Sequence, residues 1–155
     1  MKTNPHHPFG NINVTDLGCG DGASSLKLTE SGFYVKAVDI NKEKLDKIQN
    51  KFIKTINSDM LNYLSSCEDN SIDNIFIHHS LEHTTDAKEI INLCGRKLKK
   101  GGLYYATVPA GDYLHSVHHI VFESALELFP EELSLILASM RTRFGEKEFV
   151  CIATK

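Results

Sequence analysis

Asn13-Val14-Thr15-Asp16-Leu17-Gly18-Cys19-Gly20-Asp21-Gly22-Ala23 is the stretch on which the fold turns. A short apolar run ends in an acid, passes through a glycine-rich turn and enters a segment able to start a helix. Strands hand over to helices in this way around bound nucleotides. Gly18 and Gly20 lack Cβ, so the backbone can take positive φ and lie close against a ligand. A helix beginning near Asp21 aims its free N–H groups at the same place. Asp16, at the strand end, can hydrogen-bond a cation or donor. The same letters also suit a ligand-free turn, and Gly18-x-Gly20-x-x-Ala23 fits a dinucleotide fingerprint. Features further along the chain separate these readings.

Outward from this turn, strand and helix alternate. Ile12 to Leu17 reads as a buried parallel strand. A helix follows over Ala23 to Ser31, with Gly32 at its C-terminal cap. Phe33 to Val38 is β-branched and aromatic, a second strand ending in Asp39. Asn41 caps a helix predicted through Lys51, with Leu45, Ile48 and Phe52 on one face. A third strand near Lys54 to Asn57 ends in Ser58-Asp59, and Met60 to Ser66 reads as a short helix or turn. Ile72 to His78 is a fourth strand. Thr85-Asp86 opens a helix through Lys99, stopped by Gly101-Gly102, and Leu103 to Val108 is a fifth strand. This alternation argues for a parallel α/β sheet with helices on both faces. The tail differs. Phe122 to Leu133 reads as helical with a break at Pro130. Leu135 to Phe144 and Glu148 to Thr154 flank Gly145 as a β-hairpin, although the first run also reads as a helix end.

A chain of 155 residues is a single domain by length, with residues 1–11 as an irregular lead-in. A domain of this size buries about 68–70% of its unfolded surface. The net charge of −3 argues against nucleic acid as the main partner. Lys97, Lys99 and Lys100 read as a solvated helix end that suits the dipole. Cys19, Cys67, Cys94 and Cys151 have no C-x-x-C spacing, so neither a zinc site nor a disulfide framework is expected. With no signal peptide or long apolar run, the chain is expected to be cytoplasmic, with no membrane partner.

At this point the chain resembles the class I S-adenosylmethionine-dependent methyltransferases, in particular their small UbiE-like branch. The resemblance runs from Ile12 to Lys155. It rests on Asp16-Leu17-Gly18-Cys19-Gly20-Asp21-Gly22, Val38-Asp39-Ile40, Ser58-Asp59-Met60, and Ile72-Asp73-Asn74-Ile75 through Ser80-Leu81-Glu82-His83. Lys99-Lys100-Gly101-Gly102 before a strand adds a weaker match. The resemblance implies a Rossmann-like, doubly wound, mostly parallel sheet closing with the antiparallel hairpin. It implies S-adenosylmethionine as cofactor and methyl transfer to a small-molecule acceptor, with oxygen preferred.

The chemistry of the cofactor agrees. Asp39 can accept from both ribose hydroxyls. Asp59 can accept from the adenine amino group, the Met60 amide can answer a ring nitrogen, and Ile40 can cover the ring. Asp16 and the Gly18-Cys19-Gly20 backbone face the methionine end, and His78 and His79 border the methyl group. A nicotinamide dinucleotide site would also use Asp39 but needs no acid at Asp59. Histidine suits base catalysis near neutral pH; the candidates are His79, His83, His115, His118 and His119, with His79 and His119 preferred. His83 reads as a cap or packing residue. His115-x-x-His118-His119 follows the fifth strand. A metal on His115 and His119 has no nearby acidic ligand, so none is expected. Family members commonly carry a helix before the first strand. With eleven residues there, the acceptor pocket is expected to be shallow, or completed by a second copy or partner subunit. A catalytically silent cofactor-binding domain acting in a complex is the alternative.

Overall fold

The computed structural model describes residues 12–110, 124–143 and 146–155. The lead-in, His115, His118, His119 and Phe122 lie outside them. Among the described residues seven strands form one sheet: β1 (Asn13–Leu17), β2 (Tyr34–Asp39), β3 (Ile53–Asn57), β4 (Ile75–His78), β5 (Leu103–Pro109), β6 (Ser134–Arg143) and β7 (Glu146–Thr154). Their spatial order is β3-β2-β1-β4-β5-β7-β6. β1 to β5 pair in parallel, whereas β7 is antiparallel to both β5 and β6. The connecting helices are α1 (Ala23–Glu30), α2 (Lys42–Leu45), α3 (Met60–Ser66) and α4 (Ala87–Lys97). This is the predicted α/β architecture with its terminal hairpin. The sheet grows in opposite directions from β1, so a crevice opens between the C-terminal ends of β1 and β4.

Two apolar clusters clothe the sheet. On β2, Val35 and Ala37 join Cys19 and Leu45 in one, while Val38 joins Leu17, Ile75, Ile77 and Tyr104 in the larger. The period-two alternation of strand side chains makes this division. α4 buries Ile90, Ile91 and Cys94 in the larger cluster, the i, i+1, i+4 face of an amphipathic helix.

Several predicted boundaries move, each for a local reason. α2 stops at Leu45 because Lys47 and Ile48 donate to carbonyls three residues back, and Asn50 Oδ1 accepts from the Phe52 amide at 2.9 Å. Such side-chain bonds compete with helix. β4 begins at Ile75, since the Asn74 side chain replaces ladder bonds, donating to Asn13 O and accepting from Leu103 N. Ile72 keeps only an isolated bridge to Leu98. The predicted 122–133 helix reduces, among the described residues, to a 3-10 turn at Ala125–Leu128. Ser134–Arg143 is a strand, with a bulge between Leu135 and Leu137. Lys97 is not solvated. It is 7% exposed and pairs with Asp69 at 2.7 Å, while Lys99 pairs with Asp73 at 2.6 Å.

Candidate functional site

A cavity of about 590 Å³ opens at the C-terminal ends of the central strands. Gly18, Gly20, Asp39, Ile40, Asp59, Met60 and His79, all singled out in the sequence, line it. Gly18 has φ +71°, and its amide donates to Val38 O at 2.8 Å. A Cβ there would lie 2.5 Å from Ser80 Cβ. Ser80 Oγ in turn donates to Leu17 O at 3.0 Å, so the turn after β4 is seated on the turn after β1. Gly20 has φ +58°, and a Cβ there would meet nothing within 4 Å. Its bare side faces open space.

Asp39 is fixed by two backbone amides. Gly20 N donates to Oδ2 and Asn41 N to Oδ1, each at 2.8 Å. Each oxygen keeps acceptor capacity for a vicinal diol. Ile40 beside it is 73% exposed, an apolar side chain at the rim. Asp59 caps α3: Oδ1 accepts from Asn62 N at 2.8 Å and Oδ2 from Asn62 Nδ2 at 2.6 Å. The Asn62 backbone bond foremost holds its carboxyl below the usual range. Asp39 and Asp59 thus stand at the ends of adjacent strands with an apolar residue after each. Acceptor pairs with a flat apolar cover are what an adenosine group requires, so the residues fit the implied cofactor.

Other expected residues stand behind the cavity wall. Asp16 is 1% exposed and accepts from Ser25 Oγ at 2.6 Å. Burial pushes its carboxyl up to about 6, Ser25 opposes, and the charge of Asp39 adds to the rise. An acid whose folded value lies above its ordinary 3.8 destabilises the fold once ionised. That cost is absent below about pH 4 and complete above about pH 6. Asp16→Asn is therefore expected to stabilise the protein at pH 7.5, by on the order of 2 kcal/mol or roughly 5 °C in Tm. Thermal melts should show the gain vanish by pH 4. Cys19 is buried, and desolvation, then Asp16 and Asp39, push its thiol up to about 12. Its backbone donates to Val38 O at 3.1 Å and accepts from Gly22 N at 3.0 Å, and its thiol donates to Gly20 O at 3.8 Å.

His78 departs from expectation. Its Nδ1 lies 2.6 Å from Thr107 Oγ1. It lines a second cavity of about 690 Å³ with Phe76, Tyr105 and Arg141, rather than the first. His79 borders the first cavity instead. It has φ +48°, a left-handed backbone that costs on the order of 1 kcal/mol. Its Nε2 lies 2.8 Å from Glu148 Oε2. Glu148 is 2% exposed, and its other oxygen accepts from Arg141 Nε. Burial pushes that carboxyl up, but Arg141 and His79 outweigh it and hold it below the usual range. His78, His79 and Glu148 bring ligand-type atoms within 4.8 Å of one another. Thr107 and Arg141 engage them as a hydrogen-bonded cluster. His119 lies outside the described residues.

Two acids escape the sequence reading. Glu148 sits in a strand whose partner is unknowable without the topology. Glu82 belongs to the Ser80-Leu81-Glu82-His83 motif, yet it is buried, pushed up to about 7 by desolvation, and its Oε2 has no hydrogen-bond partner among the described residues. His83 next to it lines the cavity with a side chain 54% exposed, rather than packing.

Residues 15–106 match the methyltransferase domain family. The ubiquinone biosynthesis O-methyltransferase of Vibrio atlanticus (strain LGP32) is 27% identical over 128 residues, covering 76% of this chain and 52% of that protein. Among solved structures, a SAM-dependent methyltransferase from Archaeoglobus fulgidus superposes with a TM-score of 0.74 at 22% identity, over 94% of this chain and 86% of that one. A methyltransferase in complex with the Haloferax volcanii Trm112 methyltransferase activator gives 0.79 at 15% identity, over 93% and 82%. The chain spans about half the length of the ubiquinone-biosynthesis relatives it matches. It belongs to the methyltransferase domain family, within the class I S-adenosylmethionine-dependent methyltransferases. No helix among the described residues is long and apolar enough to cross a membrane.

Proposed function

We propose that this member of the methyltransferase domain family transfers a methyl group from S-adenosylmethionine to a small-molecule acceptor through an oxygen nucleophile. The observation that carries the proposal is the doubly anchored Asp39 carboxylate, facing Asp59 and Met60 across a cavity of about 590 Å³. Asp39 takes the ribose diol, Asp59 the adenine amino group, the Met60 amide a ring nitrogen, and Ile40 one ring face. The Gly18 to Gly20 backbone takes the methionine end, with Asp16 behind it. When bound, the cofactor supplies the activated methyl. The protein supplies alignment, a contribution of ~7–11 kcal/mol in favourable cases.

His79 is the base in this reading, holding the proton an acceptor hydroxyl gives up, with His119 as the second candidate. Positioned bases contribute about 10²–10⁴-fold in rate. An oxygen acceptor is further supported by the likeness to ubiquinone biosynthesis O-methyltransferases. Incubation with methyl-labelled S-adenosylmethionine and a panel of phenols, catechols, amines and thiols tests the proposal. Label is expected in the hydroxylated compounds, and transfer to amines or thiols alone would refute the oxygen assignment.

A silent domain completed by another subunit is the second reading. It is favoured by β6, among the described residues an edge strand paired with β7 alone, whose Leu135, Ile136, Leu137 and Met140 are 42–57% exposed. The complex formed by the Haloferax relative supports a partner on a fold of this kind. Cofactor binding without turnover on any acceptor, until a partner is added, would select it.

A further inference from the structure

We propose that Glu148, held by Arg141, is the positioning residue of His79, fixing its tautomer so that Nδ1 is the atom that accepts the acceptor's proton. This rests on the reading of His79 as base. His79 Nε2 and Glu148 Oε2 are 2.8 Å apart. Glu148 is 2% exposed, so little water competes for the bond. Its second oxygen is taken by Arg141 Nε, and Arg141 Nη2 donates to Tyr105 OH at 2.6 Å. Tyr105 stacks on Phe76 with ring centroids 5.0 Å apart and planes within 3°. The chain of contacts thus runs from the cavity to a rigid aromatic pair in the sheet.

An ionised carboxylate can only accept, so Nε2 must be the donor and Nδ1 carries the lone pair of the neutral ring. The left-handed backbone of His79, anchored by its amide on Thr107 O at 3.0 Å, makes this contact while the residue still lines the cavity. Without that departure, period-two alternation would send the ring to the opposite face from His78. Instead the two rings stack at 4.3 Å. The proton taken at Nδ1 stays on the imidazolium, which the neighbouring carboxylate stabilises. No proton passes to Glu148.

Other polar and charged groups surround the ring. His78 is stacked on it, and Arg141 reaches it through Glu148. Asp39, Lys44, Asp59, His83 and Asp86 line the same cavity.

Long-range ¹H–¹⁵N correlation spectra of histidine-labelled protein between pH 5 and 9 test the proposal, with the His79 signal assigned by its loss in His79→Asn. The wild-type ring is expected as the Nε2–H tautomer. Glu148→Gln, whose amide can donate or accept, should release the ring to a mixture of the two tautomers. A merely structural role gives no change of tautomer. An Nδ1–H tautomer in the wild type, or an unchanged single tautomer in folded Glu148→Gln, would overturn the proposal. If Glu148→Gln fails to fold, the wild-type tautomer decides. These spectra need no cofactor, so their failure is distinct from a failure to bind S-adenosylhomocysteine.

Discussion

Asp39→Ala is expected to weaken binding of S-adenosylhomocysteine, the demethylated cofactor, by about 100-fold or more. Two losses combine. The ribose diol loses a charged acceptor, and hydrogen bonds to charged groups contribute about 1.5–3 kcal/mol each. Two such bonds exceed the ~2.8 kcal/mol that makes a hundredfold change. The glycine turn also loses its anchor, since Gly20 N and Asn41 N both donate to this carboxylate at 2.8 Å. Asp39→Asn should be nearly as harmful. One of its two amide-facing atoms would be an NH₂ group, set against a backbone N–H. Calorimetric titration of variants with wild-type melting curves checks both. Affinity within threefold of wild type in either would show that the ribose is bound elsewhere.

Gly18→Ala and Gly20→Ala should separate stability from binding. Both glycines have positive φ, where an alanine costs roughly 1–2 kcal/mol. At Gly18 the added Cβ also meets Ser80 Cβ at 2.5 Å, in a contact that joins the β1 and β4 turns. Overpacking of this kind costs a further ~1–3 kcal/mol. A loss of about 3 kcal/mol, or about 10 °C in Tm for a domain of this size, is expected. At Gly20 the Cβ enters open space, so Tm should fall by no more than about 5 °C. In the proposed site that space is the cofactor's path, so S-adenosylhomocysteine affinity should drop at least tenfold. Equal melting temperatures for the two variants would contradict the packing, and unchanged affinity in Gly20→Ala would contradict the ligand path.

The parts of the site that could be read in the sequence are the parts built locally. Asp39 is the last residue of β2 and Asp59 lies two residues beyond β3, so strand ends and acids are close in the chain. The glycine turn is legible because positive φ selects the residue type. The parallel α/β sheet is legible in the alternation of strand and helix, with the terminal hairpin marking its antiparallel close. Contacts made across the sheet were hidden. His79 and Glu148 are 69 residues apart, and they meet because β7 inserts beside β5 with Pro109 opposite Glu148. Alternation also misleads where the backbone leaves the strand. His78 and His79 would face opposite ways in an extended chain, and the positive φ of His79 stacks their rings instead. α2 fails for a similar local reason: the Asn50 side chain takes an amide bond outside any helical pattern.

The most direct test is calorimetric titration of the wild-type protein with S-adenosylhomocysteine and, separately, with NADH. The two ligands share an adenosine but differ at the glycine turn, where one presents an amino-acid chain and the other a pyrophosphate. Micromolar binding of S-adenosylhomocysteine with no heat from NADH is the expected result. Binding of NADH, with none of S-adenosylhomocysteine to the folded protein, would contradict the assignment of this cavity.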